Sequence, residues 1–114
     1  MQLGGCRTIV YYVRDPVETA RWFEQNLAAR LLYADDNWVL LRLFDEGPQI
    51  GLHRTDSPGA VTAFYEVEDA EAALRQLTEA GCTVEHPLTD LDEVRIASVR
   101  MPAGLILGLE QPLA

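Results

Sequence analysis

The chain has 114 residues, 48% hydrophobic and 24% charged, a composition typical of one globular domain with a buried core. Eighteen acidic residues outnumber nine basic ones, all arginine, which disfavours a nucleic-acid partner and favours a cationic ligand. No apolar run reaches the length of a membrane span, and Cys6 and Cys82 belong to no zinc motif. We therefore expect a cytoplasmic protein with reduced thiols, no cofactor and no membrane partner.

The first half of the sequence predicts one strand, one helix and three further strands. Residues 7–15 are β-branched and aromatic, which is typical of a buried strand. Asp15 then stands at the position of a helix N-cap, and Pro16 at the first helical position. Helical spacing of apolar residues continues to about Ala29. Three strands are predicted next, at residues 30–35, 36–45 and 49–54.

The second half repeats this order. A strand at residues 61–69 ends in Asp69, which is predicted to cap a helix over 70–81 that Gly81 terminates. Strands are then predicted at residues 82–86, 93–102 and 105–111. His86 ends the predicted strand and precedes Pro87, and we expect a loop from there to about residue 92.

The two halves align with each other. Residues 12–16, YVRDP, match residues 66–70, EVEDA, and residues 50–54, IGLHR, match residues 107–111, LGLEQ. Such self-similarity indicates a tandem repeat of one βαβββ unit. We predict one domain over residues 1–114, with repeat units at about 6–55 and 60–112.

Three segments resemble the vicinal oxygen chelate superfamily, which contains glyoxalase I, extradiol dioxygenases and bleomycin resistance proteins. Residues 11–33 resemble its opening strand and Asp-capped helix, with Ala28 where glycine is usual. Residues 64–84 resemble its second strand and helix, and residues 99–111 its closing turn and strand. The resemblance implies an α+β fold: two tandem βαβββ units forming a curved eight-stranded mixed sheet, with a concave pocket and the helices outside.

The resemblance also places the four usual metal ligands of the superfamily, which are normally His, Gln or Glu. The corresponding positions here are Thr8, Gly51, Thr62 and Gly108. Glycine offers no ligand, and neutral hydroxyls are poor ligands for a first-row metal, so we expect no metal. The glycines either clear the floor of the pocket for a ligand or relieve crowding where the sheet bends.

Alternation along the strands predicts which other side chains face the pocket. The polar candidates are His53, Glu66 and Glu110, with Tyr12 beside them; they suit acid–base catalysis, or are polar residues that meet solvent at strand ends. Tyr12, Trp38 and Phe64 line an apolar cleft for a planar or cationic molecule, or else fill the core or a dimer seam. The face of the sheet that Trp38 and Arg42 occupy is left open.

Two functions follow from the resemblance. The first is a metal-free binding protein of the glyoxalase/bleomycin resistance type, a homodimer that sequesters a cationic or aromatic compound such as an antibiotic. Its ligand-binding residues are then Tyr12, Trp38, His53, Phe64, Glu66 and Glu110. The alternative is a lyase, isomerase or dioxygenase with a non-standard site, for which His53, Glu66 and Glu110 are the catalytic candidates.

Overall fold

The structure, a computed structural model, describes residues 1–113. The chain divides into two compact units. The first unit is Thr8–Thr62, and the second unit is Met1–Arg7 together with Ala63–Ala114. A strand, a helix and three strands follow one another twice along the chain. The predicted α+β class, with tandem βαβββ repeats and an eight-stranded mixed sheet, is confirmed.

The secondary-structure elements follow the predicted order. The first repeat contains β1 (Cys6–Val13), α1 (Pro16–Leu27), β2 (Arg30–Ala34), β3 (Trp38–Arg42) and β4 (Gln49–Arg54). The second contains β5 (Val61–Glu66), α2 (Ala70–Glu79), β6 (Thr83–Asp90), β7 (Val94–Arg100) and β8 (Ile106–Pro112). The boundaries of the compact units therefore fall inside β1 and β5.

In the first unit the strands are hydrogen-bonded in the order β2-β3-β4-β1. β1 and β4 run parallel, and the other pairs are antiparallel. Val39, Leu41 and Leu52 are fully buried and form a core with Ala20 of α1, against which Phe23 packs. Helix α1 thus covers one face of this sheet, as the apolar spacing of its residues predicts.

In the second unit the order is β5-β8-β7-β6, with β5 and β8 parallel and the remaining pairs antiparallel. Its core contains Val67, Leu109 and Ala73, with Leu74 and Leu77 of α2 packed against them. The same arrangement of one helix on one face of four strands therefore occurs in each unit.

Both predicted helix caps are confirmed. The Asp15 Oδ1 accepts a hydrogen bond of 3.0 Å from the Glu18 N–H, and Asp69 Oδ1 accepts one of 3.0 Å from Ala72 N–H. Helix α1 ends at Leu27 rather than at about Ala29, because Ala28 adopts a left-handed conformation with φ of 53°. Helix α2 ends at Glu79, two residues before the predicted Gly81.

The predicted loop after His86 is wrong, because β6 continues through Pro87 to Asp90. Proline cannot donate a hydrogen bond, so it is tolerated in edge strands and at irregularities of pairing. β6 has both features: it pairs with β7 alone, and its pairing register shifts on each side of His86. Asp90 ends the strand and forms an ion pair with Arg95 of β7.

Among residues 1–113, no helix combines the length and the apolar character that crossing a membrane requires.

Candidate functional site

Three side chains of the first unit form an aromatic row across adjacent strands. Trp38 of β3 and Tyr12 of β1 both lie opposite His53 of β4 in the strand register. The His53 ring centroid lies 5.4 Å from that of Tyr12 and 6.2 Å from that of Trp38. These separations lie within the range of favourable contacts between aromatic rings. The structure thus brings together three residues that the sequence proposed as ligand-binding.

The aromatic row occupies the face of the sheet opposite α1. Val39 and Leu41 of β3 pack in the core beneath the helix, so the alternate residues of that strand point the other way. Trp38 and Arg42 therefore share a face with His53, which settles the orientation that the sequence left open. No helix of the first unit covers this face.

Trp38 packs directly over Gly51. A Cβ added at Gly51 would lie 2.2 Å from Cη2 of Trp38 and 2.8 Å from its Cζ3, closer than real Cβ atoms approach. Glycine is needed here because the indole ring of the chain itself fills the space above the strand. This contact gives Gly51 a packing role that the sequence alone could not identify.

A tight turn fixes the backbone of Trp38. Asp35 Oδ1 accepts hydrogen bonds of 2.8 Å from the N–H groups of both Asn37 and Trp38, and the Tyr33 hydroxyl donates to Oδ2 over 2.7 Å. The Tyr33 hydroxyl, followed by the two N–H groups, lowers the pKa of Asp35 below its usual value. The carboxylate of Asp35 thus orders the start of β3.

His53 is exposed, and its protonation can be assigned from its hydrogen bond. Nδ1 lies 2.8 Å from the carbonyl oxygen of Arg54. A carbonyl oxygen only accepts, so Nδ1 carries the hydrogen and donates it. In the neutral ring, Nε2 is then left with a lone pair that can accept a proton or a hydrogen bond.

The second unit places an aromatic ring over a glycine in the same way. Phe64 of β5 lies opposite Gly108 of β8. A Cβ at Gly108 would lie 2.5 Å from both Cγ and Cδ2 of the Phe64 ring. The two glycines that mark the internal repeat therefore share one structural role: each one makes room for an aromatic ring.

Glu66 and Glu110 lie side by side on β5 and β8, and Arg7 binds both. Arg7 Nε donates to Glu110 Oε2 over 2.7 Å, and Arg7 Nη1 donates to Glu66 Oε1 over 2.9 Å. Glu110 is buried, with 8% of its surface exposed, whereas the Glu66 side chain is 47% exposed. The hydrogen bond to Glu110, above all, raises the pKa of Arg7 above its usual value.

Sequence reasoning missed Arg7. It lies 59 and 103 residues from its two partners, and nothing in a single sequence connects positions so far apart. The weak signal available was a charged residue at the start of an otherwise apolar strand. With Arg7 included, the predicted pair of carboxylates becomes a bridged triad, in which one of the two negative charges is compensated.

The four positions that correspond to metal ligands do not fit a first-row metal. Thr8 and Thr62 are buried hydroxyls, and Gly51 and Gly108 lack side chains beneath aromatic rings. Within the described residues, no three His, Cys, Asp or Glu side chains are grouped so that they could hold a metal ion.

No family model matches the sequence, and no curated protein matches it significantly. Solved structures, in contrast, do match the chain. A methylmalonyl-CoA epimerase from Streptomyces coelicolor superposes with a TM-score of 0.80, 13% identity and coverage of 99% of this chain and 100% of that one. A methylmalonyl-CoA epimerase from Mycobacterium tuberculosis superposes with a TM-score of 0.74 and 18% identity, covering 96% of this chain and 89% of that one. An NAD-dependent benzaldehyde dehydrogenase from Legionella pneumophila superposes with a TM-score of 0.70 and 13% identity, covering 93% of this chain and 98% of that one.

Proposed function

We propose that this chain, which has the vicinal oxygen chelate fold, binds a small organic molecule without the help of a metal ion. The observation that carries the proposal is the aromatic row of Tyr12, His53 and Trp38 on the helix-free face of the first unit. Aromatic faces attract planar rings and organic cations, and the net charge of -9 adds a long-range attraction for cations. A cationic aromatic compound, such as a drug, is the ligand class that fits best.

Phe64, Glu66 and Glu110 of the second unit are proposed as further ligand-binding residues. Glu66 is about half exposed and retains a free carboxylate oxygen for a cation. Because Arg7 compensates part of the negative charge here, a dication is a less suitable ligand than a monocation.

Tryptophan fluorescence can test this proposal. The chain has two tryptophans, so Trp22→Phe leaves Trp38 as the single reporter. A panel of cationic and neutral aromatic compounds is titrated into this variant at low salt. We expect saturable quenching by at least one cationic member, and its loss in a calorimetric titration of Trp38→Leu. Phe44→Leu, which alters an exposed aromatic outside the row, is the matched control and should bind normally. Equal binding by Trp38→Leu would refute the site.

Acid–base isomerisation is the second candidate, and His53 carries it. Its Nε2 has a free lone pair, because Nδ1 donates to the carbonyl oxygen of Arg54. Such a base could remove a proton α to a carbonyl, and a proton from water added to the opposite face of the resulting planar enolate would invert the carbon. The epimerases that share the fold motivate methylmalonyl-CoA as a first probe.

The measurement is exchange of the α-proton of methylmalonyl-CoA in deuterated water, followed by NMR. Exchange that His53→Gln abolishes and His86→Gln preserves would support an isomerase. Exchange at the uncatalysed rate would show that methylmalonyl-CoA is not a substrate of this protein. Lyase and dioxygenase activities have no observation of their own in their favour.

A homodimer and a cytoplasmic location are also part of the proposal. Trp22 is 55% exposed on α1, and its large aromatic ring suits a subunit contact. Light scattering after gel filtration should give twice the mass of the 12.7 kDa chain, and Trp22→Ser should shift it toward the monomer. Phe44→Ser, at 56% exposure, is the control. A monomeric wild type would end this part of the proposal.

A further inference from the structure

A cavity of the first unit has quite different chemistry from the aromatic row. It has a volume of about 390 Å³ and lies where the carboxyl ends of the parallel strands β1 and β4 meet the start of α1. Three arginines line it: Arg14 follows β1, Arg21 lies on α1, and Arg54 ends β4. One third of the arginines of the chain thus surround a single cavity.

These three guanidinium groups have no protein partner. Among residues 1–113, none of them donates a hydrogen bond from its side chain or forms an ion pair, whereas Arg7, Arg95 and Arg100 all pair with carboxylates. A guanidinium group carries five N–H donors in a planar fork. The cavity therefore presents a set of donors that the fold itself leaves unused.

Three carboxylates also line the cavity, and they do not neutralise the arginines by contact. Asp15 is the N-cap of α1, and its carboxylate accepts a hydrogen bond from the Glu18 N–H. Glu18 and Asp36 form no ion pair with the arginines. The chain has twice as many acids as bases, whereas the lining of this cavity has equal numbers of both and is therefore less negative than the chain as a whole.

The internal repeat supplies a comparison. The residue that matches Arg54 in the second repeat is Gln111, and its Oε1 accepts a hydrogen bond of 2.9 Å from the Ala70 N–H at the start of α2. In the first repeat the residue that matches Ala70 is Pro16, which has no N–H to donate, so no acceptor is needed there, and Arg54 stands near the positive end of the α1 dipole. A cation at that end is unfavourable unless an anion lies between the two. Arg54 therefore has no capping role like that of Gln111, and an anion in the cavity would offset its unfavourable position.

We propose that this cavity binds the phosphate groups of a small molecule, a diphosphate being the class that best matches three guanidinium forks. Guanidinium and phosphate oxygens form bidentate, charge-assisted hydrogen bonds, and a cavity of this volume holds two phosphates with part of their carrier. This site is independent of the ligand proposed for the aromatic row.

Calorimetric titration at low ionic strength tests the site, with inorganic pyrophosphate, ADP and adenosine as probes. We expect saturable binding of pyrophosphate that weakens with added salt. If ADP binds more tightly than pyrophosphate and adenosine does not bind, the ligand is a phosphorylated organic molecule. If pyrophosphate and ADP bind equally, the ligand is a free diphosphate. Arg14→Gln, Arg21→Gln and Arg54→Gln should each weaken binding by about fivefold or more. Asp36→Asn should strengthen it.

Arg75→Gln is the matched control. Arg75 occupies on α2 the place that Arg21 has on α1, and it does not line the cavity. It should bind pyrophosphate like the wild type, and so should Trp38→Leu, which separates this site from the aromatic row. All variants are first shown to be folded by thermal unfolding. No saturable binding of any probe, or equal weakening by Arg75→Gln, would overturn the proposal.

Discussion

At the scale of single residues, the two glycines of the internal repeat have a defined packing role. Gly51 lies beneath Trp38, and Gly108 lies beneath Phe64. The sequence offered two reasons for glycine, a cleared pocket floor or relief of crowding, and the contacts support crowding by an aromatic ring. The sequence could locate the glycines, because the repeat aligns them, but not the rings. Trp38 comes from the neighbouring strand, and the register in which two strands pair cannot be read from the sequence of either strand alone.

The two glycines should differ in how they tolerate alanine. At Gly108 the new methyl meets Cγ of Phe64, an atom close to the backbone that cannot move far. At Gly51 it meets the outer edge of the Trp38 indole, which can swing away. We expect Gly108→Ala to lower the free energy of unfolding by about 1–3 kcal/mol, the usual cost of overpacking, and Gly51→Ala to cost less.

Urea unfolding measures both effects. Gly5→Ala is the control, because its Cβ would meet nothing within 4 Å, and it should leave stability nearly unchanged. A larger loss for Gly51→Ala than for Gly108→Ala would contradict the argument. Rotation of the indole should also alter the tryptophan fluorescence of the Gly51→Ala variant.

Arg7 is a residue whose removal should destabilise the fold. Its guanidinium lies between the buried Glu110 and the half-exposed Glu66. Loss of a charged partner by a buried carboxylate is costly, whereas an exposed ion pair contributes little. We expect Arg7→Gln to lower the free energy of unfolding by about 1–2 kcal/mol, most of it from Glu110. Arg100→Gln, which breaks the exposed pair with Glu85, should cost much less in the same urea titration.

At the scale of the elements, the end of α1 contains a correctable strain. Ala28 has φ of 53°, a left-handed conformation that costs a residue with a Cβ about 1–2 kcal/mol. The superfamily usually has glycine here, and the sequence flagged the departure without showing its conformation. We expect Ala28→Gly to raise the free energy of unfolding by about 0.5–1 kcal/mol, the strain relief being partly offset by chain entropy. Ala80→Gly, at φ of -84°, should not stabilise. No gain at Ala28 in thermal unfolding would contradict the prediction.

The β2–β3 turn should be sensitive to acid. The pKa of Asp35 is lowered in the folded chain, first by the Tyr33 hydroxyl and then by two backbone N–H groups. A lowered carboxyl pKa contributes stability above the unfolded pKa of 3.8, and that stability is lost as the pH falls through the folded value. Asp35→Asn should therefore lose less stability than the wild type between pH 6 and pH 3, a range of about three units that includes the unfolded pKa. Asp45→Asn is the control, and an unchanged acid response in Asp35→Asn would refute the role.

At the scale of the whole molecule, the sequence predicted the repeat, the element order and the fold. These depend on apolar periodicity and helix caps, which are local signals that occur twice in the chain. β6 was predicted too short because Pro87 normally ends a strand, and only the pairing irregularities of an edge strand make it acceptable. The bridge by Arg7 and the rings over the glycines were missed because they join residues from distant parts of the chain.

Thermal unfolding of the whole molecule provides a test of metal independence. An ion that binds only the folded state stabilises it by about 2.7 kcal/mol at a hundred times its Kd. For a chain of this size that corresponds to a rise in Tm of roughly 10 °C or more. Because the positions Thr8, Gly51, Thr62 and Gly108 offer no strong ligand, we expect neither EDTA nor Mn²⁺, Co²⁺, Ni²⁺ or Zn²⁺ to shift the Tm by more than the error of measurement. A rise of several degrees with one equivalent of a single ion would contradict this, and its loss in Thr8→Ala or Thr62→Ala would locate the site. Weak adsorption to an acidic surface would differ from such binding, because it would affect all four ions alike and would not saturate at one equivalent.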